Sequence, residues 1–168
     1  ALTIELVTLP SSAGILTAVV TSNSVSSGVA VQAATVIPVI TESTDVLAAN
    51  ANQIVIEGVG FGPTIASNTV TFNNGAIGNV TAVSTSSLTV TFTTRPLAGG
   101  TLTATVVSNG ATSIADVQVA EVAPVVTPNA ALQLGANATS ITITGIGFAT
   151  DASLNTVVLS SGAEGTVL

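Results

Sequence analysis

The feature that most constrains this chain is that it repeats itself. Leu2 to Val39 aligns without a gap on Leu88 to Val125, a separation of 86 residues. A fixed period of this kind indicates successive copies of one supersecondary unit before any single strand has been assigned. The identities fall on Pro10 and Pro96, Gly14 and Gly100, Ser22-Asn23 and Ser108-Asn109, Gln32 and Gln118, and Pro38 and Pro124. These are mostly residues of turns and boundaries, where backbone geometry restricts the choice. A second match sets Gly58-Val59-Gly60-Phe61 on Gly145-Ile146-Gly147-Phe148, and Asn68-Thr69-Val70 on Asn155-Thr156-Val157, now at a separation of 87. One residue has been gained in the loop between the two matches.

Pro38 and Pro124 follow strand-like runs and cannot donate to a ladder, so they mark the repeat boundary. The division predicts a back half over 1–36, a complete repeat over 37–122 and a front half over 123–168. Leu168 corresponds to Thr81 and Ala1 to Ser87, so only Ala82 to Ser86 lacks a counterpart in the two halves taken together. Each half by itself leaves strand edges and an apolar face without a partner. Two arrangements supply one: head-to-tail association with another copy, and a longer covalent array of repeats of about 87 residues.

Inside the complete repeat, short runs of Val, Ile, Thr and Phe alternate with Gly, Asn, Ser and Pro clusters, the pattern of a β-sandwich. Seven strands are predicted, near Ile37–Thr41, Gln53–Val59, Asn68–Asn73, Val80–Val83, Ser87–Thr93, Thr101–Ser108 and Ser113–Val122. Leu88, Val90 and Phe92 fall on one face of a strand, and Thr89, Thr91 and Thr93 on the other. Core positions are expected at Ile54 or Val55, Phe72, Leu88 or Val90, and Val106. Asn74-Gly75 and Asn109-Gly110 sit where hairpin turns with positive φ belong. No amphipathic helical period is visible.

Three stretches, IVIEGVGFG (Ile54–Gly62), NTVTFNNGAIGNVTAVSTSSLTVTFTT (Asn68–Thr94) and GGTLTATVVSNGATS (Gly99–Ser113), resemble the IPT/TIG immunoglobulin-like family, and the resemblance extends over the whole chain. It departs at one turn, where Ser11-Ser12-Ala13-Gly14 replaces Leu97-Ala98-Gly99-Gly100. The resemblance implies tandem all-β immunoglobulin-like sandwiches of the kind found in bacterial surface and secreted proteins, without an active site of their own.

The chemistry available is narrow. Among 168 residues there is no Cys, His, Met, Trp or Tyr, and Arg95 is the single base against eight acids, for a net charge of -7. Disulfides, imidazole catalysis and the usual transition-metal ligands are removed together. Serine is abundant, but a Ser nucleophile lacks a His or Lys base. Nothing neutralises phosphate, so nucleic acid is a poor partner. Apolar runs are too short for a membrane helix. The carboxylates that could act in pairs are Glu42 with Asp45 and Asp116 with Glu121, and none has a supporting base or aromatic group. A Ca²⁺ ion would enter near Glu42, Asp45 or Asp151, which otherwise read as solvated acids at strand ends. Asn79 and Asn137 begin Asn-x-Thr acceptor sequences for N-glycosylation. Gly58, Gly60 and Gly62 lack the following helix that a phosphate loop needs, and Pro63 follows instead.

The expected role is structural and non-catalytic: a subunit or repeat segment of an extracellular fibre, filament or stalk whose partner is another copy of itself. The competing roles are an adhesin or glycan-binding module, and an accessory part of a larger secreted enzyme.

Overall fold

A computed structural model describes residues 1–168. The strands are β1 (Gly14–Ala18), β2 (Thr21–Ser22), β3 (Val25–Ser26), β4 (Val31–Val36), β5 (Val39–Ile40), β6 (Val46–Ala48), β7 (Gln53–Val59) and β8 (Asn68–Phe72). They continue with β9 (Ile77–Val83), β10 (Ser87–Thr94), β11 (Gly100–Ser108), β12 (Ala111–Thr112), β13 (Val117–Ala123), β14 (Val125–Val126) and β15 (Gly145–Ile146). Two 3₁₀ turns, Ile65–Ser67 and Ala152–Leu154, are the only helical elements. No helix is long and apolar enough to cross a membrane.

Between Val39 and Ala123 the strands form two sheets. One has the order β5-β7-β10-β9; the other runs β12-β11-β13-β6, with β8 paired to β11. Ile54, Ile56, Val80, Leu88 and Val90 from the first sheet meet Leu102, Ala104, Val106, Val119 and Val122 from the second in one apolar cluster. This is a β-sandwich, and the period of two explains it. Along β7, Ile54, Ile56 and Gly58 are buried while Gln53, Val55, Glu57 and Val59 face solvent. Along β11, Leu102, Ala104, Val106 and Ser108 point inward in the same way.

Leu88, Val90 and Val106 are fully buried, and Ile54 rather than Val55 takes the inward position. Phe72 is only half-buried, at the margin of the core, with its ring 5.5 Å from that of Phe92. Both Asn-Gly turns have positive φ at both residues, Asn74 and Gly75 at 53° and 65°, Asn109 and Gly110 at 48° and 78°. Two strands of the sandwich are absent from the sequence reading: β12, two residues that pair with the end of β11, and β6, three residues that pair in parallel with β13 and set Leu47 beside Val122.

The flanking segments repeat the hydrogen-bond register of the sandwich. β1 pairs with β4 from Gly14↔Val36 to Ala18↔Val31 with a bulge after Leu16. β11 pairs with β13 from Gly100↔Val122 to Ala104↔Val117 with a bulge after Leu102, the position 86 residues later. β14 pairs with β15 as β5 pairs with β7, Val125↔Ile146 matching Val39↔Val59. Residues 2–8, which match β10, form no strand here.

Candidate docking faces and the joints between repeats

Two joints connect the central sandwich to its flanks, and they are built alike. At the first, the Ala13 amide donates to the Gly60 carbonyl at 2.7 Å; at the second, the Gly99 amide donates to the Gly147 carbonyl at 2.8 Å. Ala13 matches Gly99, and Gly60 matches Gly147. Gly60 and Gly147 have φ of 80° and 83°, a conformation that favours glycine and turns each carbonyl toward its partner. At the first joint Asn109 also donates from Nδ2 to the Ala13 carbonyl at 2.9 Å, and Ala13 is buried.

An asparagine organises the loop beside each joint, buried at Asn68 and partly buried at Asn155. The Asn68 amide group receives hydrogen bonds from the Gly62 amide (2.9 Å) and Ser108 Oγ (2.5 Å), and donates to the carbonyls of Gly62 (2.9 Å) and Thr64 (2.7 Å). Every polar valence of the side chain is thereby used, as burial requires. Asn155 repeats three of the four bonds, accepting from the Ala149 amide and donating to the carbonyls of Ala149 and Asp151.

The flanking segments leave their apolar faces open. Leu2 and Ile4 are 75% and 71% exposed, whereas their counterparts Leu88 and Val90 are fully covered. Leu16, Val20 and Ile141 are exposed, whereas Leu102, Val106 and Ile54 are buried. These segments lie at opposite ends of the sandwich: Gly100 begins β11 beside the second joint and Asn109 follows its end beside the first. The nine residues of β11 span about 30 Å. Val36 and Val39 are separated by two residues only, so β4 runs almost directly into β5 and the back half has no long tether.

Three of the carboxylates share one depression, and the other candidate acids lie elsewhere. Glu42, Asp45 and Glu57 line a shallow depression together with Thr41, Ser43 and Thr44. No group of three acids is close enough to hold a metal ion. Asp151 belongs to the C-terminal segment and accepts from the amide and the hydroxyl of Ser153 at 2.9 and 2.7 Å. These bonds favour the ionised form and lower its pKa below the ordinary value. Asp116 accepts from the Thr105 hydroxyl, while Glu121 faces Thr101 at 3.4 Å and Gln118 at 3.5 Å. Each acid of that pair is thus tied to its own neighbours. Arg95 donates to the Ala51 carbonyl and to Asn52 Oδ1. Asn79 on β9 and Asn137 in a turn are both exposed.

The joints and the asparagine staples escaped the sequence reading, although the identities at Asn23, Asn68 and Asn155 carried their signal. No protein-family model, no curated protein and no solved structure matches this chain.

Proposed function

We propose that the chain is a structural, non-catalytic element of an extracellular fibre or stalk, built from tandem immunoglobulin-like sandwiches of the IPT/TIG type. In this reading the back half (1–36) of one copy completes the front half (123–168) of the next, head to tail. The observation that carries it is the contrast in burial at matched positions: side chains that close the central core have counterparts in the two halves that are exposed or only partly buried.

In this reading the registers of the central sandwich carry over to the two halves. Leu88 pairs with Ile56 and Val90 with Ile54, so Leu2 takes Ile143 and Ile4 takes Ile141. Thr105 pairs with Thr71 and Val106 with Val70, so Val19 takes Val158 and Val20 takes Val157. Apolar side chains meet apolar side chains at all four positions. The two halves are held at opposite ends of one sandwich, which favours completion by a neighbour over closure within one chain. A contact of this heterologous kind repeats without closing and generates a filament. A chain whose serines have no His or Lys to activate them suits such a role.

Because the chain has no cysteine, Val19→Cys with Val158→Cys gives a clean test. Both valines are exposed, and a short thiol-reactive crosslinker should convert polymer into a ladder of covalent multiples of the 16.3 kDa chain. Polymer without a ladder means that the halves do not pair in this register, and absence of any association refutes the self-completion reading. Intact mass distinguishes a second copy from a neighbouring repeat on the same polypeptide, which would place the same strands side by side.

A further inference from the structure

We infer that the Ser22-Asn23 turn of an incoming copy is a latch that couples completion of the split sandwich to locking of the second joint; this rests on the head-to-tail reading above. Two hydrogen-bonding gaps in the single chain point to it. The first is at Gly99. Its counterpart Ala13 has its carbonyl held by Asn109 Nδ2 at 2.9 Å and is buried, whereas Gly99 is exposed and its carbonyl accepts no hydrogen bond. The second gap is at Asn155. Asn68 has a fourth bond, from Ser108 Oγ at 2.5 Å, for which Asn155 has no equivalent.

Both missing donors are matched by residues in the back half. Asn23 corresponds to Asn109 and Ser22 to Ser108. The backbone of the turn is already set: Asn23 and Ser24 have φ of 47° and 65°, against 48° and 78° at Asn109 and Gly110. The pairing around it agrees as well, Ser22↔Val25 and Thr21↔Ser26 repeating Ser108↔Ala111 and Val107↔Thr112. The Asn23 and Ser22 side chains are exposed and make no hydrogen bond in the single chain. Each donor without an acceptor thus has a matching acceptor with room for it, the bare carbonyl of Gly99 and the second lone pair of Asn155 Oδ1, which already accepts from the Ala149 amide, on the part of the next copy that the register of Val20 with Val157 brings against it. On docking, Asn23 Nδ2 donates to the Gly99 carbonyl and Ser22 Oγ donates to Asn155 Oδ1.

The consequence is mechanical. The first joint is held by two hydrogen bonds within one chain; the second has one until a neighbour arrives, so it stiffens only on assembly. The fibre then has one uniform kind of joint, at the split domains and the unsplit ones alike.

The test uses full-length chains carrying Asn23→Gly or Ser22→Ala. Glycine tolerates the positive φ of the turn and removes the side-chain amide that would donate. Unlatched second joints should rise about fivefold in population with Asn23→Gly, the effect of one hydrogen bond. Filaments in electron micrographs should therefore show a shorter persistence length than wild type. Ser22→Ala should lower the denaturant concentration at which polymer dissociates. A variant that keeps its folded circular dichroism spectrum and fails to polymerise also supports the latch. Unchanged persistence length in Asn23→Gly together with unchanged dissociation in Ser22→Ala overturns it. Wild-type chains that neither polymerise nor crosslink through Val19→Cys and Val158→Cys refute instead the reading on which it rests.

Discussion

The central sandwich and the two segments that flank it are written in the same sequence pattern, but they reach different states. In the sandwich, Leu88 lies between strands on both sides, pairing with Ile56 on β7 and Val83 on β9, and is fully buried. Leu2 occupies the matched position with neither partner beside it, and residues 2–8 have no strand structure. The β1–β4 hairpin does form, because its two strands are close in sequence and need only each other. A β-strand whose partners lie elsewhere cannot satisfy its backbone or bury its apolar face by itself. The difference teaches that propensity and alternation are permissive here, and that long-range partners decide whether a strand exists.

The largest effect is expected from removing the back half. Deletion of residues 1–36 should abolish head-to-tail association while leaving the central sandwich folded, since its apolar cluster draws on residues 40–122 only. Light scattering and electron microscopy check the first outcome, and circular dichroism the second. Filaments of normal yield from the deleted chain would remove the functional distinction between the two regions.

A matched pair of substitutions sharpens the comparison. Leu88→Ala should destabilise the sandwich by about 2 to 5 kcal/mol, as truncation of a fully buried leucine does. Leu2→Ala should change the stability of an isolated chain by less than about 0.5 kcal/mol, because an exposed side chain loses no core contact. In the polymer the same Leu2→Ala should weaken association, as read from the critical concentration. Equal effects of the two substitutions on the isolated chain would show that the back half is already closed.

The asparagine staples offer a smaller contrast. Asn68→Ala should cost about 1 to 3 kcal/mol, because the Gly62 amide and Ser108 hydroxyl lose a buried acceptor. Asn155→Ala should cost less in the isolated chain, where its environment is more open and one bond fewer is made. Chemical denaturation of the two variants checks the order.

The smallest effect concerns pH. The folded-state pKa of Asp151 is lowered by Ser153, so its contribution is present above the ordinary carboxylate value of 3.8 and is lost as pH falls through the lower, folded-state value. The matched residue in the sandwich is Thr64, which bonds Ser67 at 2.6 Å and does not titrate. Acidification should therefore shift the Ser153 amide resonance, with a midpoint below 3.8, and leave that of Ser67 unmoved.

Much of the fold was legible in the sequence for simple reasons. Gln53–Val59 is a short run rich in β-branched residues set between Asn52 and Gly60, and the strand has those same bounds. The Asn-Gly pairs announced their turns because few other residues adopt positive φ at so small a penalty. β6 was not legible, since three residues carry too little periodicity and its pairing with β13 crosses more than seventy residues of chain. Phe72 was expected in the core and packs against it while staying partly buried, at the end of β8 with its ring 5.5 Å from that of Phe92. The candidate cation ligands Glu42, Asp45 and Asp151 were visible as acids, but the geometry that separates Asp151 from the other two by a sandwich joint was not.

The sequence by itself carried the period, the expected division at Pro38 and Pro124, the inward and outward faces of Ser87–Thr93 and the turns. Each depends on neighbours one to four residues away or on direct self-comparison, and both are written in the order of the residues. Only the tertiary structure decided which copies of the pattern close and how they are joined. Asn109 meets the Ala13 carbonyl across 96 positions, and Ser108 meets Asn68 across 40. Contacts of that range depend on the packing of whole sheets, and no local periodicity encodes them.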